Sequence, residues 1–346
     1  TIDYIIEQFS SVKVEKMKPV IREIVRSGVY QLIYMDRIPD SAVCNEAVKL
    51  AQKKGFYSLK GFVNGVLRNV ARNKENITYP PETQPIAYLS VKYSIPAWLV
   101  EKWVLEYGFE QTERMAADFM EDKPTTIRCV QYMINTEVTI QRLKEQGVTV
   151  EKAPYLDYAY YISGYNYLSM LNVFKMGCIM VQDLSSMLVA EVAAPEKNDC
   201  VIDLCAAPGG KSLHVADKMM GYGTVEARDL TDYKVGMIEE NIQRMNAINV
   251  HAVCQDATVF DRDSIEKADI VLADVPCSGY GVIGKKTDIK YKVTAQKQED
   301  LIILQRKILH NASSYVKVGG TLVYSTCTIG REENENNIEW FVKNYP

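Results

Sequence analysis

Apolar residues recur every three or four positions through residues 1–75, the period of a helix with one buried face. Met17, Ile21, Ile24, Val25 and Leu32 share one such face. Pro39-Asp40-Ser41 is a helix-start signal, and Val43, Ala47, Leu50 and Ala51 form the stripe that runs on to Gly55. Phe62, Val63, Val66, Leu67 and Val70 form another. Period-two alternation is missing here, so the spacing predicts an all-α bundle over residues 1–75.

Residues 75–95 are polar and carry Pro80, Pro81 and Pro85, which predicts a linker. Helices are expected from Pro96 to Tyr107, stopped by Gly108, and from Phe109 to about Met120, so residues 76–124 read as linker and helices. At Thr125 the pattern changes. Thr126 to Val130 reads as a strand, Glu137 to Gln146 as a helix ended by Gly147, and Val148 to Val150 and Tyr158 to Ile162 as further strands. Residues 125–180 therefore read as a small α+β module.

Residues 181–346 alternate short apolar runs with helical stretches. Cys200–Leu204, Thr224–Ala227, Val250–Cys254, Ile270–Ala273 and Thr321–Tyr324 suit buried parallel strands. The pattern predicts a doubly wound Rossmann-like sheet, which binds ligands beyond the carboxyl ends of its strands. A seven-stranded sheet needs two strands more, and the first helix opens without a cap. Both ends of the chain are therefore expected to be short of the full fold.

Composition narrows the classes. With 346 residues, 47% hydrophobic and 24% charged, the chain reads as a globular protein of two or three domains. No apolar run reaches the ~18 residues of a membrane helix, and the N-terminus lacks a secretory pattern. The eight cysteines include no C-x-x-C pair, which argues against a zinc site and for reduced thiols in a cytosolic protein. Charge is uneven. Residues 1–75 carry 13 Lys and Arg against 8 Asp and Glu, a net of +5, while the remainder carries 27 against 36, a net of −9. A basic front end on an acidic body suits a polyanionic partner, although surface composition alone can give the same asymmetry.

The chemistry concentrates in the last third. Asp203 closes the first strand of the sheet, and Cys205-Ala206-Ala207-Pro208-Gly209-Gly210-Lys211 turns the chain into a helix. Glycines let the backbone approach a ligand, and a helix start offers free N–H donors; a plain β–α turn uses the same residues. The spacing is neither that of a Walker loop nor G-x-G-x-x-G, which disfavours a pyrophosphate. Asp229 and Asp256 end the next two strands and are suited to ribose hydroxyls and an adenine amino group. Three acids after three consecutive strands describe an adenosine pocket without phosphate-binding machinery, and S-adenosylmethionine is the common cofactor of that kind.

Two thiols follow, Cys277 in Asp274-Val275-Pro276-Cys277 and Cys327 in Ser325-Thr326-Cys327. Methylating carbon 5 of a pyrimidine requires a nucleophile on carbon 6, and a thiolate serves well. An acid must stabilise the ring nitrogen, and Asp274 is placed for that. A second thiol or base then helps remove the carbon-5 proton and free the enzyme. Buried inert thiols are the commoner case, and Cys44, Cys129, Cys178, Cys200 and Cys254 are read as core. Lys211 points at the donor or the reaction centre, or is a solvated helix residue. The lysines of Gly281 to Lys292, beside Tyr291, suit an incoming phosphate backbone or an exposed loop. Glu332, Glu333 and Glu335 are read as acids at a helix start, favoured by its dipole.

These residues carry a resemblance. Residues 180–340 resemble the Sun-type RNA 5-methylcytosine methyltransferases in Asp203 to Ser212, Asp229, Asp256, Asp274-Val275-Pro276-Cys277-Ser278-Gly279 and Ser325-Thr326-Cys327-Thr328. Gln182-Asp183-Leu184-Ser185-Ser186 is similar to a further motif of that family, and Lys286-Thr287-Asp288 departs from its more usual Pro before the Asp. The resemblance implies that Cys327 is the nucleophile and Cys277 assists release, the reverse of the DNA cytosine-5 enzymes. Ile38 to Val43 and Gly61 to Arg68 resemble a NusB-like RNA-binding domain. That domain joined to this catalytic one implies an enzyme that methylates cytosine 967 of 16S rRNA, with residues 125–180 helping to bind RNA; the chain is further expected to be a cytoplasmic monomer free of membranes. The same reaction on another RNA such as tRNA, or a non-catalytic assembly factor, stays open.

Overall fold

Helices Pro19–Tyr34 and Lys60–Asn73 cross at Gly28, where a Cβ would lie 2.6 Å from Leu67 Cδ2. The computed structural model describes residues 1–345 and divides into two units, Thr1–Glu121 and the chain from Asp122 onward.

In the first unit Ile21, Val25, Val29, Val43, Ala47, Ala51, Val63 and Leu67 meet in one core with Ile5 and Ile6 of helix Ile2–Phe9. Leu50, expected in that stripe, is 42% exposed. The buried face of helix Asp40–Lys53 follows Val43, Ala47 and Ala51 at four-residue steps, and Leu50 stands about 100° away from Ala51. The expected linker at 75–95 is helical over Pro85–Tyr93. Pro85 opens that helix at its first turn, where a missing N–H costs nothing. Helices Ala97–Tyr107 and Phe109–Asp118 follow, parted by Gly108 at φ 80°.

The second unit contains two sheets. β1 (Thr125–Cys129), β2 (Thr149–Lys152), β3 (Ala159–Ser163) and β4 (Ile179–Val181) form an antiparallel sheet in the order β2-β3-β1-β4. β4 was not legible in the sequence because it is only three residues long. β5 (Cys200–Asp203), β6 (Thr224–Asp229), β7 (Val250–Cys254), β8 (Ala268–Asp274) and β9 (Val316–Ser325) form a parallel sheet in the order β7-β6-β5-β8-β9.

Alternation along β5 loads both faces. Val201 packs with Leu213, Val225 and Ile238 on one side, and Ile202 with Val271, Ile308 and Ala312 on the other. Strand order reverses between β5 and β8, which opens a crevice at their carboxyl ends. The two sheets are tied by a buried group. The guanidinium of Arg128 on β1 pairs with Asp217 of helix Gly210–Lys218 and donates to Gln182 Oε1 at 3.0 Å, while Asp217 Oδ1 accepts from the backbone N–H of Gln131 and Tyr132 at 2.9 and 3.0 Å.

Candidate active site

At the reversal, Asp203 ends β5 fully buried. Its Oδ2 accepts from Ser212 Oγ at 2.6 Å and its Oδ1 from the N–H of Cys205 at 3.4 Å. Burial pushes its carboxyl up to about 6, against these hydrogen bonds. The chain then turns through Cys205–Pro208, with a cis Ala207–Pro208 peptide, and Gly209 at φ 100° opens helix Gly210–Lys218. Only glycine adopts that φ without strain. Asp229, at the end of β6, braces the turn from behind, accepting from Ala207 N–H at 2.9 Å.

A cavity of about 650 Å³ lies beyond these strand ends. Its walls include Asp203, the loop Cys205–Pro208, Lys211, Asp274, Lys286 and Cys327, with Met180, Val181 and Val189 as apolar surface. Lys211 Nζ donates to Asp274 Oδ2 at 2.5 Å, and Ser325 Oγ donates to Asp274 Oδ1 at 2.8 Å. Asp274 and Ser325 are paired in register at the ends of β8 and β9, so sheet geometry brings the two cysteine loops side by side.

Cys277 Sγ and Cys327 Sγ are 3.1 Å apart as free thiols, and the N–H of Cys327 donates to Cys277 Sγ at 3.2 Å. The hydrogen bond from the Cys277 thiol brings Cys327 down to about 7, against its own desolvation, with Lys211 and Lys286 adding their positive charge. The same hydrogen bond, burial and the neighbouring thiolate push Cys277 up. Cys327 is the exposed member of the pair, with its thiol made more acidic, and Cys277 the more sheltered one, with its thiol made less acidic.

Three profiles of known families match the chain. Residues 1–72 match the NusB family, residues 95–165 the ferredoxin-like domain of the RsmF/B-like methyltransferases, and residues 190–346 the profile "16S rRNA methyltransferase RsmB/F". A "probable ribosomal RNA small subunit methyltransferase B" of Bacillus subtilis (strain 168) is 36% identical over 100% of this chain and 77% of its own length. The chain belongs to the RsmB/F family of 16S rRNA methyltransferases. A relative of the same description from Synechocystis is 33% identical over 100% of this chain and 78% of its own length. Among solved structures, PH0851 covers 100% of this chain and 77% of its own at a TM-score of 0.86 and 28% identity. NSun6 from Pyrococcus horikoshii, solved with the S-adenosylmethionine analogue SFG, covers 72% of this chain and 87% of its own at a TM-score of 0.66 and 25% identity.

RsmB/F enzymes depend on S-adenosylmethionine, and the cavity fits that cofactor. Its volume is that of a nucleoside-sized ligand. Asp203 and Asp274 suit a sulfonium cation, and the backbone of Cys205–Gly210 can approach an adenosine closely.

Of the residues singled out from sequence, the fold gathers Cys205, Ala206, Ala207, Pro208, Gly210, Lys211, Asp274 and Cys327 around this cavity, with Cys277 against Cys327. Gly209, Asp229 and Asp256 stand outside its walls. Asp229 Oδ1 accepts from Lys234 Nζ at 2.9 Å and from Leu230 N–H at 2.7 Å, and Asp256 accepts from Thr258 N–H at 2.8 Å. Cys254, expected in the core, is exposed because β7 is the edge strand; Cys200, at the start of β5, is half-exposed. The basic run after Cys277 is less free than a solvated phosphate-binding loop. Lys285 pairs with Asp183, Lys292 with Asp288, and Lys290 is buried, leaving Lys286 on the cavity wall.

Glu333 is the largest departure. Read as a helix-start acid, it precedes helix Glu335–Asn344 and is fully buried beneath the Cys277 loop. Its setting in Arg331-Glu332-Glu333-Asn334-Glu335, a polar run before a helix, is indistinguishable from a dipole-favoured cluster until the chain is folded.

Proposed function

We propose that this protein transfers a methyl group to carbon 5 of a cytosine in 16S rRNA, cytosine 967 being the site the resemblance implies, through a covalent bond between Cys327 and carbon 6. The observation that carries the reading is the thiol pair, 3.1 Å apart, beside a cavity it shares with the Lys211–Asp274 ion pair.

Cys327, brought down to about 7 and so substantially ionised near neutrality, attacks carbon 6 as the thiolate. The negative charge that then develops on the ring is neutralised by a proton at the ring nitrogen, passed from the Lys211 ammonium through the Asp274 carboxyl. This leaves carbon 5 nucleophilic. Bound S-adenosylmethionine supplies the electrophilic methyl group there. Once Cys327 is bonded to carbon 6 it no longer carries the negative charge that raises Cys277. Cys277 then gives its proton to solvent and, as thiolate, takes the carbon-5 proton; the electron pair of that C–H bond closes the 5,6 double bond as the Cys327 sulfur leaves as thiolate. The cofactor is held by Cys205–Pro208, Gly210 and Asp203, and Asp229 acts behind them by bracing the loop through the Ala207 N–H. A cytosine must leave its stack to enter such a cavity, which suits a loop or single strand in RNA. The NusB-like unit contributes phosphate contacts, and eight free thiols suit work in the reducing cytoplasm.

The test is methyl transfer from tritiated S-adenosylmethionine to unmodified 16S rRNA, with the modified base mapped at nucleotide resolution. One labelled cytosine at carbon 5 supports the proposal. Label on tRNA and none on 16S rRNA transfers the chemistry to another substrate, and binding of cofactor and RNA without transfer favours the assembly factor.

A further inference from the structure

The residues flanking each cysteine are held, directly or through Gln305, by one dipeptide, Glu333-Asn334. Asn334 brackets Cys327: its Oδ1 accepts from Thr326 Oγ1 at 2.6 Å, and its Nδ2 donates to the carbonyls of Thr328 at 3.1 Å and Gly330 at 3.0 Å. Glu333 brackets Cys277. Its Oε2 accepts from the N–H of Ser278 at 2.9 Å and from Gln305 Nε2 at 2.9 Å, and that same Gln305 amide donates to the Pro276 carbonyl at 2.9 Å. Gln298 Nε2 occupies the other carboxylate oxygen at 2.9 Å.

The two loops are also tied to each other. Ser278 Oγ and Thr328 Oγ1, each one residue past a cysteine, are 2.7 Å apart, and Gly281 N–H donates to the Cys327 carbonyl at 3.0 Å. A Cβ on Gly281 would come within 2.9 Å of that carbonyl oxygen. The dipeptide and these ties fix the backbone on which both sulfurs ride, while neither Glu333 nor Asn334 lines the reaction cavity.

We infer that Glu333 and Asn334 are positioning residues that set the separation of the two cysteine sulfurs, and through it the division of labour between nucleophile and release thiol. A buried carboxylate taking three N–H bonds is a stiff anchor, since a charged acceptor makes shorter and stronger hydrogen bonds than a neutral one. Nothing else in the chemistry requires a carboxylate there. The catalytic meaning rests on the assignment of Cys327 as nucleophile; the positioning itself does not.

The experiment uses the whole chain with Glu333→Gln and Asn334→Ala, and diamide as a distance probe. The two thiols lose two protons and two electrons to the diazene, which becomes the hydrazine, and a Cys277–Cys327 disulfide forms only if the sulfurs meet. After quenching with an alkylating reagent, peptide mapping gives the rate of that one cross-link. We expect each variant to form it about 10-fold or more slowly than wild type, with S-adenosylmethionine binding by calorimetry retained. The Cys327 alkylation profile should also move up in pH toward the ordinary thiol value of ~8.5.

Cross-linking at the wild-type rate in either variant overturns the inference. So does slowing accompanied by loss of cofactor binding, which marks a general structural role. Asn334→Asp, which keeps the acceptor for Thr326 and loses the donor to Thr328 and Gly330, takes the place of Asn334→Ala if that variant fails to fold. The cross-link forms whichever cysteine attacks RNA, so failure of the nucleophile assignment is read separately, from the cysteine that retains RNA.

Discussion

Lys211 Nζ donates to one oxygen of Asp274 at 2.5 Å while Ser325 Oγ donates to the other at 2.8 Å. Two donors on one carboxylate fix its plane as well as its place. They join the first turn of the cofactor-loop helix to the ends of β8 and β9.

Removing the cation should therefore injure chemistry more than binding. Lys211→Met is expected to lower the single-turnover methylation rate about 100-fold, the scale of losing one well-placed acid–base group. RNA affinity should hardly change, because Lys211 is mostly enclosed. Rapid-quench kinetics with saturating cofactor reads this directly, and a rate within a few-fold of wild type removes Lys211 from the mechanism.

The pH dependence follows from the thiol pair. Cys327 titrates at about 7 and is active as thiolate, so the methylation rate should fall as pH drops through 7 and level off above it. Cys277→Ser replaces the thiol donor with a hydroxyl of weaker acidity, so this limb should move to higher pH. A limb at the same pH in both proteins would place the titration on some other group.

Much of this site was legible in the chain. Strand ends, the glycine turn and both cysteine loops are local patterns, because a buried parallel strand needs a short apolar run and a ligand-approaching turn needs glycine. Asp274, Cys277 and Cys327 were readable for that reason. What could not be read depends on distant partners. Glu333 meets Gln298 and Gln305 from a helix some thirty positions earlier, residues whose polarity on an otherwise ordinary helix says nothing of a buried carboxylate. Leu50 and Pro85 were misread for local reasons, one a neighbouring position on a helical wheel and the other a proline that starts a helix rather than preventing it.

Asp203 should show a trade between stability and function. Its folded value of about 6 lies above the unfolded 3.8, so its contribution to stability is full below pH 3.8 and lost as pH rises through 6. At pH 7.5 the buried carboxylate costs about 3 kcal/mol by that linkage. Asp203→Asn should raise the urea midpoint at pH 7.5, gain little near pH 4, and weaken S-adenosylmethionine binding, since a cationic ligand favours the ionised acid. A variant equally destabilised at both pH values contradicts this reading.

The buried Arg128–Asp217 pair makes a contrasting prediction. Asp217→Ala leaves a guanidinium buried without its counter-ion and two backbone N–H groups without an acceptor, and should cost about 3–5 kcal/mol. Replacing both residues by apolar ones of similar volume should recover much of that loss. Chemical denaturation of the single and double variants decides it; a double variant no better than Asp217→Ala would show that the pair holds the small sheet on the methyltransferase domain by its charge.

The central claim is the covalent bond between Cys327 and the cytosine, and RNA carrying 5-fluorocytidine at the target tests it most directly. Fluorine on carbon 5 cannot leave as a proton, so the enzyme is caught after methyl transfer and before release. With S-adenosylmethionine present, a complex stable to denaturation should form, and peptide mapping should find the nucleotide on Cys327, with no complex in Cys327→Ala. Nucleotide on Cys277, or efficient methylation of ordinary RNA without any trapped complex on the fluorinated one, would contradict the account.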